Sequence, residues 1–429
     1  MADRHGDVAD RQIRQRHGLD LAVCLAVDIG QIDGAERVGH GGVLPVCCAQ
    51  SSVCTGAGNR AGGWGPCTGF IDRRRSCRLG SLAFIEDVAM LRRLLTIGFL
   101  AAAPALGLAT AATAAERPAV IARDGSAVTF PEATLAALDL AILQGADSLR
   151  LDVYQTLDGV LVIRTARDLA ATTNAASVLA RPVGVKGEPP VAGFPVDLVP
   201  YSSYAQLTAR QIVAGRDLRF DDMFPAPILE DAFALIARRQ IDSRRTIGLL
   251  IVLHDTQVHA ARGRPMEPRL IASMQRYGLA GAPQIMIGAS EPTSLQQLAG
   301  PGNPRVFVLG PSTARPADSA VTRNSATFGD YQAPAGLRAI RGFADAVLVD
   351  FPDVQGYYAD GAAMPPSTIV ADARAAGLGL YVGGFADADD PLKPRREAID
   401  SYARVFALGV DGIVTDEPAR AVAARRHGR

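Results

Sequence analysis

Lysine is nearly missing from this 429-residue sequence: of its 44 basic residues only Lys186 and Lys393 are lysine, and the rest are arginine. Such uniform usage, beside abundant alanine, reflects coding composition, so arginine number alone assigns no function. Excess charge is also lacking, because 44 acidic residues offset the 44 basic ones and the formal net charge is zero. A chain so balanced is not built to coat nucleic-acid phosphates. Aromatic residues make up only 6%, with Trp64 the single tryptophan, so no sugar-stacking platform is evident. The six cysteines, Cys24, Cys47, Cys48, Cys54, Cys67 and Cys77, all precede residue 90. None of them has the two-residue gap of a zinc knuckle, so neither a metal module nor a disulfide module is indicated. No apolar run reaches the ~20 residues of a stable membrane span.

Residues 1–89 combine irregular hydrophobicity with Gly-rich stretches such as Gly56 to Gly65, which suits an upstream extension without a packed core. Met90 then opens a segment with Arg92-Arg93, an apolar run from Leu94 to Leu108, and Ala112-Thr113-Ala114. These are the three parts of a secretory signal peptide. The expectation is therefore a translation start at Met90, a signal peptide over 90–114, cleavage near Ala114, and export to the periplasm or the exterior. The arginine pair loosely matches a twin-arginine signal, with Sec-type export as the default. The remaining chain, 115–429, contains no cysteine and needs no disulfide in an oxidising compartment.

The exported portion has the size of one large α/β domain. Strand-length apolar runs recur at Ala119 to Ala122, Ser148 to Val153, Ile247 to Leu253, Gln284 to Ile287, Arg305 to Leu309, Ala346 to Asp350, Leu378 to Val382 and Gly412 to Thr415. Helical stretches separate most of them, including Ile228 to Arg239 and Arg396 to Leu408. Eight strands alternating with helices predict a (β/α)₈ TIM-type barrel with its site at the C-terminal strand ends. The segment 154–226 is too long for a βα loop of ~2–6 residues and is expected as an insertion after strand 2 that packs over the mouth. Within it, Gly159 to Arg164 alternates like a hairpin strand.

The stretch from Ala119 to Asn174 organises the rest. A strand leads through Gly125 to a helix expected to open at Pro131 and close at Gly145. In the next strand Leu149, Leu151 and Val153 share one face, and Arg150 and Asp152 the other. Pro131, Glu132, Thr134, Gly145, Ala146, Asp147, Asp152, Val153, Asp158, Gly159, Thr172, Thr173 and Asn174 form a frame that resembles the opening of the glycerophosphodiester phosphodiesterases. Pro227 to Asp231 and Gly409 to Pro418 resemble two further motifs of that family, so the resemblance covers about Pro118 to Val422.

The resemblance implies a barrel, a divalent cation held by carboxylates, and two histidines that move protons. Aligned on the frame, the first histidine falls on Arg123, the second on Thr165, and the metal-binding glutamates on Arg150 and Val252. Asp152 alone remains of the central set. Arginine cannot serve as a base near neutral pH, and a fixed positive charge beside the metal position opposes Mg²⁺ or Ca²⁺. Two readings stay open at this point. One is a pseudoenzyme that binds a phosphorylated small molecule, a glycerophosphodiester or a protein partner, with Arg123, Arg150, Arg164 and His254 contacting the ligand and no cofactor. The other is an active hydrolase with a relocated cation on Asp124, Asp152 and Asp255. Against both stands the possibility that the arginines are consumed in ion pairs. Asp152, His254, Asp350 and Asp416 are expected at one end of the barrel.

Overall fold

The computed structural model describes residues 117–427 except 182–190, 212–215, 357–362 and 386–394. The expected upstream extension and signal peptide lie outside the described residues. Eight parallel strands close a barrel: β1 (Ala119–Arg123), β2 (Ser148–Gln155), β4 (Gly248–Leu253), β5 (Ile285–Ala289), β6 (Arg305–Val308), β7 (Ala346–Asp350), β8 (Gly379–Gly383) and β9 (Gly412–Thr415). The order β1-β9-β8-β7-β6-β5-β4-β2 is completed by β1 pairing with β2. The ninth strand, β3 (Leu161–Ile163), runs antiparallel to β2 as the hairpin pattern implied. β2 itself continues through Gln155, two residues beyond the run that marked it.

Strand alternation divides the core into two layers. Leu149, Leu151 and Val153 pack outward against the helices, together with residues such as Leu138, Phe233 and Leu249. Ile121, Leu250, Val252, Met286, Val306, Leu348 and Val414 fill the barrel interior. Arg123, Arg150, Asp152 and Asp416 fall on this inward face at period two. Register sets Arg123 beside Arg150, and Asp152 beside Val252. The valine at the expected glutamate position is therefore an interior packing residue.

The first helix begins later than its proline suggested. It spans Leu135–Leu143 and is capped by Thr134, whose hydroxyl accepts from Ala137 N at 3.2 Å. Pro131 belongs to the preceding turn, in which Ala133 takes a left-handed φ of 55°. Threonine wins because its hydroxyl satisfies an orphan amide, whereas proline only presets φ. Gly125, at φ 98°, lets the post-β1 loop cross the helix backbone, and a Cβ there would overlap Ala137. Gly125→Ala should cost about 3 kcal/mol from strain and overlap together, read as a lower urea midpoint at unchanged slope.

The segment after β2 carries its own apolar core, including Leu169, Phe194, Tyr201, Tyr204 and Leu207. It reaches the barrel rim at defined points. Gln211 and Arg216 donate to the Ala127 carbonyl at 2.8 and 3.1 Å, and Phe130 packs edge-on against Phe220 and Phe224. Both Ala127 and Phe130 lie in the loop leaving β1.

Candidate functional site

Two ion-pair groups occupy the C-terminal strand ends. In the first, Arg150 directs Nε and Nη2 at Asp152 Oδ1, at 2.9 and 2.8 Å, and His254 places Nε2 3.0 Å from the same oxygen. His254 also stacks on Tyr154 with centroids 5.0 Å apart. Arg150, Asp152 and Tyr154 lie at successive inward positions of β2, and His254 follows β4, so adjacent strands build this group. Burial by itself would raise the Asp152 pKa, but Arg150 and then His254 outweigh it and hold the carboxylate well below its usual range.

In the second group Arg123 grips Asp416 bidentately, Nε to Oδ1 at 2.7 Å and Nη2 to Oδ2 at 2.8 Å. Arg216, from the insertion, adds a contact to Asp416 Oδ2 at 3.2 Å. Asp124 lies between the groups with a left-handed φ of 51°. Its Oδ1 accepts from Asp152 N at 3.4 Å, while the buried Oδ2 has no partner. Burial, reinforced by the charges of Asp152 and Glu132, pushes the Asp124 pKa well up. Glu132 is likewise raised by burial, and its Oε1 accepts the Thr165 hydroxyl.

These placements correct several expectations. Arg164 does not reach the mouth: it is fully buried, donates to the Glu132 carbonyl at 2.9 Å, and leaves Nε and Nη1 unpartnered. The hairpin turns Arg164 beneath the loop that Thr165 faces. Asp350 ends β7 at the expected end of the barrel, but it is exposed and takes no part in either group. His259 is 1% exposed in the helix Thr256–Ala261. The ion-pair expectation holds for both rim arginines, Arg150 with Asp152 and Arg123 with Asp416.

A divalent ion needs several oxygen ligands converging at one point. Asp152 Oδ1 is already shared by a guanidinium and an imidazole, and burial raises the Asp124 pKa well above its usual range. Asp255 lies 3.6 Å from Arg167, inside a network in which Asp197 also takes Arg167 and Arg262. Among the described residues no three His, Cys, Asp or Glu side chains gather to hold a metal. Among the described residues, this rim does not offer the set of converging oxygen ligands that Mg²⁺ or Ca²⁺ takes.

Three groups at this rim were missed from sequence. Tyr154 was legible as the next inward residue after Asp152. Arg216 had no local signal. Glu291, buried after β5 with Oε2 unpartnered, is pushed by burial to a pKa of about 7, with His254 opposing the rise.

The contact between β2 and the helix Thr256–Ala261 predicts acid sensitivity. Gln155 Nε2 donates to His259 Nδ1 at 3.1 Å, and burial lowers the His259 pKa from 6.5 to about 4. Because the folded value lies below the unfolded one, this contribution is complete above about pH 6.5 and is lost as pH falls toward 4. The loss should approach about 3 kcal/mol, and His259→Gln should flatten the stability profile across that window.

The fold and this rim define a closed parallel (β/α)₈ barrel whose mouth is built from arginine–carboxylate pairs and one histidine. Residues 124–420 match the glycerophosphoryl diester phosphodiesterase family, and the chain belongs to it. The Arabidopsis thaliana glycerophosphodiester phosphodiesterase GDPD6 is 24% identical over 323 residues, 70% of this chain and 84% of its own length. The Arabidopsis glycerophosphodiester phosphodiesterase GDPDL7 is 26% identical over 350 residues, 76% of this chain but 44% of its own length. A solved Silicibacter pomeroyi protein assigned as a glycerophosphoryl diester phosphodiesterase shares the fold with a TM-score of 0.52 and 21% identity, covering 72% of this chain and 93% of that one.

Proposed function

We propose that this family member is an exported pseudoenzyme whose mouth binds a phosphorylated small molecule, a glycerophosphodiester or its glycerol phosphate portion, without metal-dependent turnover. The observation that carries the reading is Arg150 on Asp152: a guanidinium occupies the acidic ligand that the family resemblance assigns to a cation. Charge supports it further. Arg123, Arg150 and Arg216 meet at the carboxylates Asp152 and Asp416, while burial raises the pKa of Asp124 and Glu132 beside them, which disfavours further negative charge at the rim. Guanidinium binds phosphate in a fork geometry that needs no metal. Among the described residues the Arg150 guanidinium hydrogen-bonds Asp152 and feels the charge of Asp124, and Tyr154 stacks beside it on His254.

The roles follow from that arrangement. Asp152 orients Arg150 and His254, Arg123 and Arg150 take phosphoryl oxygens, and Tyr154 holds the imidazole plane. Export through a signal peptide cleaved near Ala114 belongs to the same proposal. Glycerophosphocholine hydrolysis measured with and without Mg²⁺ or Ca²⁺ tests the reading. Background rates in both conditions are expected, and metal-dependent turnover abolished by Asp152→Ala would sink the proposal.

A further inference from the structure

The insertion ends in a braced turn that exposes two large apolar side chains. Asp222 takes a left-handed φ of 61°, and its carboxylate accepts the Thr208 hydroxyl at 3.0 Å and both arms of Arg210 at 2.9 and 2.7 Å. Asp221 accepts from Gln211 N at 2.8 Å, and Ala209 exchanges backbone bonds with Asp222 and Phe224. A turn pinned this way cannot fold its apolar residues inward. Leu218 and Met223 are each 62% exposed. In the same turn Phe220 and Phe224 form one ring cluster with Phe130, with centroids 4.8 to 6.2 Å apart. Two exposed large apolar residues within six positions, on a rigid aromatic base, differ from the scattered ones that any surface carries.

The tip stands on the mouth side of the barrel, since Arg216 joins it to Asp416 after β9 and Phe130 comes from the loop after β1. We infer that this tip docks the protein on a zwitterionic phospholipid surface. The choice of occupant rests on the reading of the mouth as a phosphate site, because a phospholipid offers phosphate and apolar chain side by side. Charge narrows the surface further. Arg210 pairs with Asp222, Arg219 with Asp217 and Arg216 with Asp416, so the tip has no basic surplus for an anionic bilayer. Arg219 lies over the Phe220 ring at 5.0 Å, which lets an apolar base sink while the guanidinium stays among headgroups. Interfacial elements bury apolar tips in this manner.

The test is sedimentation of the exported form proposed above, residues 115–429, with phosphatidylcholine vesicles, alongside glycerol phosphate calorimetry. Leu218→Asp/Met223→Asp should reduce the vesicle-bound fraction roughly tenfold or more, with unchanged glycerol phosphate affinity and unchanged melting. Leu218→Ser/Met223→Ser provides a milder variant that should weaken binding in the same direction. Equal vesicle binding by wild type and both variants would overturn the inference, because another surface would then be responsible. Absence of vesicle binding by the wild type, as expected if the tip serves a protein partner, overturns it too. Vesicle binding lost in the variants when glycerol phosphate never binds would leave the tip standing and remove the reading of the mouth.

Discussion

Restoring four side chains together, Arg123→His, Arg150→Glu, Thr165→His and Val252→Glu, should produce Mg²⁺- or Ca²⁺-dependent glycerophosphocholine hydrolysis where the parent chain shows background. Each missing proton-transfer group is worth ~10²- to 10⁴-fold, so the gain should be large. Single restorations should yield nothing. Arg150→Glu alone sets a third carboxylate beside Asp152 and the buried Asp124, and it removes the cation that now neutralises Asp152. Val252→Glu alone puts a charge into the packed barrel interior, where Gly288 and Leu250 lie close. The four act as one unit, and their effects will not add. Activity from any single change would mean that the alignment of these positions is wrong.

The second large effect concerns folding. Asp152→Asn should destabilise the barrel by about 3 kcal/mol or more, because Arg150, with 13% of its side chain exposed, loses the carboxylate that offsets its burial. The loss should be greatest above the native pKa of Asp152 and should shrink in strong acid, where the wild-type carboxylate is itself protonated. Arg150→Met/Asp152→Leu should recover most of the stability, since apolar groups of similar size replace a buried pair at little net cost. Urea titrations of the single and double variants measure this coupling. A double variant as unstable as Asp152→Asn would show that Asp152 matters through His254 instead.

Much of the barrel was legible because strands buried on both faces read as apolar runs, and turn residues separated them at βα spacing. Helix starts were less so: the Pro131 signal competed with the Thr134 cap three residues later, and the side-chain hydrogen bond decided. The Arg150–Asp152 pair could be anticipated because it spans two residues on one strand face. Arg123 with Asp416 could not, since the partners are 293 positions apart and meet only when β9 closes the barrel against β1. Arg216 with Asp416, 200 positions apart, has the same cause. Arg164 misled because strand alternation gives the face of a residue but not what covers it. Its neighbours on the Glu132 loop seal it.

The central claim is that a guanidinium has taken over the metal's place at this mouth. Its most direct test is calorimetric titration of the full chain with sn-glycerol 3-phosphate in the presence of EDTA, repeated with Arg150→Gln. Binding in EDTA that drops at least about tenfold in the variant is the predicted result, in line with the ~1.5–3 kcal/mol of a charged hydrogen bond. Binding that appears only when Mg²⁺ or Ca²⁺ is supplied, and that survives Arg150→Gln, would contradict it.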